Sequence, residues 1–185
     1  PLEVQMFQAT GWTLIEEPND PINYNPKILT FVRPKQEISL TQKMEKDLGK
    51  DKLEYAEEID NIMLTHYELG IIRRFDFESK LQRMSSLVKR TFDTNYMLFC
   101  KGSPEKIKEL CKKESIPENF YEIINKYTSQ GYRVLALSCR ALQMTYEQAM
   151  EIPRSFAEKD LIFLGILIVQ TKLKETTSQV LKSLN

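Results

Sequence analysis

The sequence has few of the residues from which phosphate loops and metal sites are commonly built. Its 185 residues include only 6 glycines, and neither a GxxxxGK[ST] nor a GxGxxG loop occurs. One histidine and 3 cysteines without CxxC spacing do not supply the ligands of a zinc site. Any phosphate site in this chain is therefore predicted to rest on side chains, and no metal site is predicted.

The chain also lacks a surplus of either charge and lacks a long apolar run. Lys plus Arg and Asp plus Glu number 26 each, so no global basic field exists to hold a nucleic-acid backbone. The longest apolar run, residues 161–169, is roughly half the length that crosses a bilayer. It predicts a buried strand. Because the chain opens at Pro1 with neither an initiator methionine nor a signal peptide, we expect a fragment of a longer protein.

The cysteines and the single histidine have ordinary explanations. Cys100, Cys111 and Cys139 each lie in an apolar periodic segment, which predicts buried free thiols in a reducing compartment. His66 alone cannot anchor a metal, so we expect an ordinary surface or core histidine.

Strands and helices mix along the chain without strict βαβ alternation, which predicts an α+β domain. Apolar residues alternate on both sides of residues 78–82 and again after the turn-forming residues 93–95, which indicates an antiparallel meander. Ser103 and Pro104 predict the start of a helix, and Thr145 with Gln148 predicts a capping box. Further helices are predicted at 2–10 and 117–131, and further strands at 27–33 and 132–142.

Residues 35–70 differ from the rest in composition. Nine acids face five lysines there, and β-branched residues are few. We interpret the segment as an insertion with one amphipathic helix near residues 55–66, whose acidic side is solvated.

Three places offer side chains for a flat, negatively charged ligand. Phe77 and Met84 flank a predicted turn, and an aromatic ring stacks well on a planar base. Lys101 precedes a capped helix, and Arg133 lies among apolar neighbours, where a guanidinium needs an anion or a carboxylate. Taken singly, the first two could be core residues, Lys101 a solvated strand end and Arg133 a salt-bridge partner. Their coincidence favours a nucleotide.

Four stretches together resemble the nucleotide-binding (N) domain of P-type ATPases: "FDFESKLQRMSS", "KGSPE", "GYRVLAL" and "FLGILIVQTKLKETT". The form is similar to the P5B branch, whose best-known members are polyamine pumps of lysosomes and endosomes. The opening "PLEVQMFQATGW" resembles the rest of that branch's GDP-[LM]-[DE] motif. The resemblance implies a twisted antiparallel β-sheet flanked by helices over 1–170, with the insertion at 35–70. Residues 171–185 would be the hinge and the start of the phosphorylation domain.

The resemblance also implies roles for single residues around adenine. Phe77 matches the phenylalanine that stacks on adenine, and Met84 matches the residue that lines the same pocket. Lys101 matches the lysine at the mouth of the pocket, and Gly102 beside it gives close approach. Glu3 aligns with the acid near the adenine amino group.

For the phosphates, the match is less complete. Arg133 matches the arginine that reaches the phosphates. Many P-type pumps carry a lysine where this chain has Gln82, with Arg83 next to it. Gln82 and Arg83 are therefore the candidates for a phosphate contact from this hairpin. Either the hairpin makes no such contact, because Gln82 replaces the lysine, or Arg83 makes it.

The implied cofactor is ATP, as Mg-ATP, with Mg mainly held by the absent phosphorylation domain. The chain has no DKTGT, TGD or TGES motif, so no catalytic residue is assigned and the isolated fragment is expected to bind ATP without hydrolysing it. The implied partners are ATP or ADP and the phosphorylation and actuator domains of the same pump. We expect a monomer that contacts neither nucleic acid nor membrane.

The intact protein implied by the resemblance is a multi-pass pump of an internal, endosomal or lysosomal membrane that exports polyamines or cations, with this domain in the cytosol. One alternative is a non-catalytic interaction module with vestigial nucleotide binding, which the Gln82 departure favours. Another is a single-stranded nucleic-acid binder, which the zero net charge disfavours.

Overall fold

The fold is an α+β arrangement built on one sheet. A computed structural model describes residues 2–16, 30–34, 68–90 and 93–170. In these ranges seven antiparallel strands form a sheet whose order follows the chain. The strands are β1 (Trp12–Glu16), β2 (Thr30–Pro34), β3 (Leu69–Glu78), β4 (Arg83–Arg90), β5 (Tyr96–Gly102), β6 (Arg133–Leu142) and β7 (Ile162–Val169). The predicted fold class and meander are confirmed.

The helices of the described ranges are short. They are α1 (Leu2–Ala9), α2 (Pro104–Leu110), α3 (Phe120–Thr128), α4 (Tyr146–Glu151) and α5 (Arg154–Ala157), with a 3-10 turn at Lys113–Ser115.

Both predicted helix caps are present. The Ser103 hydroxyl accepts a hydrogen bond from the Lys106 backbone N–H at 3.4 Å, and Pro104 is the first residue of α2. Thr145 and Gln148 form the reciprocal capping box of α4. These caps satisfy backbone donors that the first turn of a helix leaves unpaired.

Two sequence predictions need correction. The helix predicted over 117–131 covers Phe120–Thr128, and Gly131 follows in a left-handed turn with φ +81°. The apolar run 161–169 does form a strand, but it is not buried: Ile162 is 47% and Leu164 55% exposed. Because β7 is the last strand of the sheet, it has a neighbouring strand on one side only among the described strands.

The described residues belong to two compact units. Of the described residues, the first unit contains those up to Phe75, those within Ser86–Leu98 and Ala141–Ala157; the second contains Asp76–Ser85, those within Phe99–Arg140, and 158–170.

The second unit has its own apolar core, which fixes α3 on the sheet. Phe120 and Ile124 of α3 are buried with Val134 of β6, and Phe163 and Ile166 of β7 pack against them. The Phe120 and Phe163 rings meet edge to face, with centroids 5.4 Å apart, a favourable geometry for aromatic pairs. This packing supports the strand β6 that begins at Arg133.

Several predictions lie outside the described residues. The helix near residues 55–66, His66 and all of the insertion before residue 68 are in this category, as is the hinge at 171–185. The domain boundaries at 1–170 and 35–70 therefore stay predictions.

Candidate functional site

The hairpin between β3 and β4 brings Phe77 and Met84 together. β3 ends at Glu78 and β4 begins at Arg83, and the Glu78 carbonyl accepts hydrogen bonds from the Leu81 and Gln82 N–H groups at 3.0 and 2.7 Å. A four-residue turn of this kind pairs the last residue of β3 with the first residue of β4. The residues one step further from the turn, Phe77 and Met84, then also lie opposite each other. We therefore infer that Phe77 and Met84 share one face of the sheet.

Phe77 is not a core residue. It is 57% exposed, although a phenylalanine ring has much to gain from burial. Phe75, two residues earlier on the same strand, is only 7% exposed, and Met84 is half-buried. The hairpin thus presents an accessible aromatic ring beside a partly buried, flexible thioether, which is a surface suited to a flat apolar ligand.

Lys101 and Gly102 end strand β5 next to this hairpin. The side chains of β5 alternate, so Cys100 is buried while Lys101 is half-buried on the opposite face. A Cβ atom on Gly102 would lie 2.5 Å from the Gln82 carbonyl oxygen and 2.6 Å from the Arg83 Cβ. Only glycine lets the strand and the turn approach so closely, and the role of Gly102 beside the nucleotide stays a prediction.

Gln82 joins the turn to the start of α2. It has a left-handed backbone, φ +52°. Its carbonyl oxygen accepts a hydrogen bond from Ser103 N–H at 3.0 Å, and its side-chain oxygen accepts one from the Ser103 hydroxyl at 3.3 Å. In this structure Gln82 therefore ties the hairpin to the helix cap.

Four strand ends converge at one end of the sheet. Neighbouring antiparallel strands run in opposite directions, so the end of β3, the start of β4, the end of β5 and the start of β6 lie at the same end of the sheet. Phe77, Met84, Lys101 and Arg133 occupy these ends, and all four belong to the second unit. Residues that are up to 56 positions apart in the chain, from Phe77 to Arg133, are thereby grouped.

Arg133 is the first residue of β6 and is exposed. Within the described part of the chain, its side chain forms no ion pair, so the salt-bridge explanation finds no support there. An exposed guanidinium at this end of the sheet is available to an anion.

Arg83, by contrast, is engaged inside the fold. Its Nε donates a hydrogen bond to Glu158 Oε2 at 2.6 Å, and the Ser85 hydroxyl donates one to Glu158 Oε1 at 2.6 Å. The Arg83 side chain is 13% exposed and that of Glu158 fully buried. A phosphate contact from Arg83 would have to break a buried ion pair, which is costly.

The sequence does not indicate the buried position of Glu158. The stretch "AEKDL" that contains it is typical of a solvated turn, and nothing in its spacing indicates a buried acid. Glu3 lies in the first turn of α1, is exposed, and belongs to the first unit. Its role near adenine stays a prediction.

The described residues form neither a metal site nor an exposed thiol. No group of three or more His, Cys, Asp or Glu side chains in 2–16, 30–34, 68–90 and 93–170 is arranged to hold a metal ion. Cys100, Cys111 and Cys139 are buried free thiols, as predicted, and burial raises the pKa of both Cys111 and Cys139. Among the described helices, none is long and apolar enough to span a membrane.

Comparison with known proteins shows similarity along the whole chain. A sequence profile described as "P-type ATPase, cytoplasmic domain N" matches residues 22–176. The chain is 35% identical over 188 residues to the polyamine-transporting ATPase 13A3 of Mus musculus. It is 36% identical over 188 residues to the vacuolar cation-transporting ATPase YPK9 of Saccharomyces cerevisiae, and 32% identical over 186 residues to the human polyamine-transporting ATPase 13A2.

These alignments cover 100% of this chain but only 15%, 12% and 14% of the three relatives, respectively. The chain thus spans about one-seventh of the length of the curated proteins it matches. The similarity therefore concerns one part of much longer proteins.

Proposed function

The chain belongs to the P-type ATPase family as its cytoplasmic domain N, and we propose that it binds ATP by stacking adenine on Phe77. The exposure of this ring carries the proposal. A phenylalanine that is 57% exposed at the end of a strand offers a face to a nucleobase, and such a stack contributes about 1–3 kcal/mol.

Met84 and Lys101 complete the adenine end of the proposed site. Met84 lines the pocket on the face it shares with Phe77, where a thioether packs well against an aromatic ring. Lys101 lies at the mouth, and Gly102 lets the hairpin approach the strand that carries this lysine. Glu3 is proposed as the acid near the adenine amino group.

Arg133 is the proposed phosphate contact. It is exposed at the same end of the sheet as Phe77, Met84 and Lys101. An arginine can bind phosphate oxygens through two parallel N–H groups. Gln82 and Arg83 already bond to Ser103 and Glu158. We therefore propose that they hold the hairpin and that phosphate recognition relies on Arg133.

In the intact pump, the domain would position the γ-phosphate of Mg-ATP for transfer to an aspartate of the neighbouring phosphorylation domain. Mg would be held mainly by that domain, and the actuator domain would be a further partner. We propose transport of polyamines or cations by an endosomal or lysosomal membrane protein with this domain in the cytosol. The similarity to proteins named polyamine-transporting and cation-transporting ATPases supports the proposed transported species.

A nucleotide titration of the chain followed by NMR tests the proposal. ATP and ADP should shift the amide signals of the hairpin and of Lys101 and Gly102 at similar, weak affinity, because the adenine stack dominates and few phosphate donors are present. Adenosine should shift the hairpin signals as well. Absence of any shift at saturating ATP would reject the proposal and favour an interaction module with vestigial nucleotide binding.

A further inference from the structure

Glu158 is a buried carboxylate that uses both oxygens to hold strand β4. Oε2 accepts a hydrogen bond from Arg83 Nε and Oε1 accepts one from the Ser85 hydroxyl, each at 2.6 Å. Glu158 is 1% and Ser85 3% exposed, so water does not weaken these contacts. Short, charge-assisted bonds in a shielded site hold their partners in one geometry.

The two residues that Glu158 binds are the neighbours of Met84 in the strand. Side chains alternate along a β-strand, so Arg83 and Ser85 point to one face of β4 and Met84 points to the other. Glu158 thus lies on the face of the strand away from Met84. These two contacts, one before and one after Met84 in the strand, resist rotation of β4 about its own axis. Such a rotation would turn the Met84 side chain.

We propose that Glu158 is a positioning residue of the nucleotide site: by binding Arg83 and Ser85 it fixes the direction of Met84. This inference rests on the proposed function, because it concerns the pocket that Met84 and Phe77 would form for adenine. Glu158 does not touch the ligand in this scheme. It acts through the strand, and it does so from the face of the strand opposite to Met84.

A role in positioning explains the buried ion pair better than a role in stability alone. Burying an arginine and a carboxylate costs solvation energy, and apolar residues of similar size are often equally or more stabilising. Loss of one partner is harmful, whereas loss of all partners together can be neutral. This asymmetry allows stability and positioning to be separated by experiment.

The test compares three forms of the chain. The triple variant Arg83→Met/Ser85→Ala/Glu158→Leu removes all three partners together, and the single variant Glu158→Gln removes the charge but keeps the size. The matched control is Arg33→Met, which takes an arginine away from another fully buried carboxylate, that of Glu68 at 3.5 Å, in the first unit. Thermal melting and the Kd of ATP and adenosine are measured for each.

We expect the triple variant to melt close to the original chain but to bind ATP and adenosine at least about fivefold more weakly, because a loosely held pocket residue reduces affinity without unfolding the protein. Arg33→Met should melt at a lower temperature and bind both ligands as before. A triple variant that keeps both its melting temperature and its affinities would overturn the positioning role. If the triple variant does not fold, weaker binding by folded Glu158→Gln supports the proposal and unchanged binding overturns it.

A second readout does not depend on nucleotide. The NMR signal of the Met84 methyl group, assigned with Met84→Leu, reports the environment of this side chain in the free chain. The signal should move or broaden in the triple variant and in Glu158→Gln, and should stay in place in Arg33→Met. If the original chain binds no nucleotide, the proposed function fails, and the methyl signal alone decides whether Glu158 positions Met84. An unchanged signal would refute the inference.

Discussion

Replacing Phe77 by alanine should separate ligand binding from stability. Full burial of a phenylalanine side chain contributes about 1.5–3 kcal/mol. Since Phe77 is 57% exposed, less than half of that gain, about 1 kcal/mol, can be lost on truncation. No cavity should form, because the ring does not fill the core. We therefore expect Phe77→Ala to fold with only a slightly lower melting temperature.

The expected effect on binding is larger. Loss of a base stack costs about 1–3 kcal/mol, and each 1.4 kcal/mol corresponds to a factor of ten in Kd. If the stack contributes about 1.4 kcal/mol or more, Phe77→Ala should weaken the binding of ATP, ADP and adenosine at least about tenfold. All three ligands should be affected equally, because they share the adenine ring.

Phe156→Ala is the matched control. Phe156 is 56% exposed and lies in α5 of the first unit, so its removal should cost similar stability and leave nucleotide binding unchanged. Affinities come from NMR titration and stabilities from thermal melting of the same samples. Equal losses of affinity in Phe77→Ala and Phe156→Ala, or an unchanged Kd in Phe77→Ala, would refute stacking on Phe77.

The remaining predictions concern the other residues of the site. Lys101→Gln should weaken ATP and adenosine alike, whereas Arg133→Gln should weaken ATP by about 1–3 kcal/mol, less where solvent screens the contact, and spare adenosine. An equal loss of both ligands in Arg133→Gln would mean that this arginine is structural. The chain should release no phosphate from ATP above a buffer blank and form no acid-stable phosphoenzyme, because it lacks the acceptor motif DKTGT; release that Lys101→Ala abolishes would contradict this. Gly102→Ala should lower the free energy of unfolding by about 1–3 kcal/mol in a denaturant titration, because its Cβ would lie 2.5 Å from the Gln82 carbonyl oxygen; unchanged stability would show that the turn gives way freely.

Local signals in the sequence predicted local structure well. Ser103 is a helix cap because its short side chain reaches a backbone N–H only three residues away, and the same holds for the box of Thr145 and Gln148. The break in alternation at residues 78–82 predicted the hairpin because a period of two changes wherever a strand ends. The grouping of Phe77, Lys101 and their neighbours came from the family resemblance, and the order of the sheet supplies its geometric reason.

Contacts between distant segments could not be predicted in this way. Nothing in the sequence around Glu158 indicates that it accepts hydrogen bonds from Arg83 and Ser85, which lie 75 and 73 residues earlier. The apolar run of β7 predicts a buried strand. This prediction is wrong because hydrophobicity alone does not show whether a strand lies at the centre or at the edge of a sheet. Such information depends on the completed topology.

The separation between Glu158 and β4 also bears on the order of folding. The hairpin of β3 and β4 closes across four residues and can form within about 1–10 μs. The bond from Ser85 to Glu158 closes a segment of 73 residues, which costs about 2–3 kcal/mol more in loop entropy. We expect a chain that ends before Glu158 to form the hairpin while Met84 remains free to turn. Nucleotide affinity would then be acquired late in folding, after the strands have formed and once the distant carboxylate has reached them.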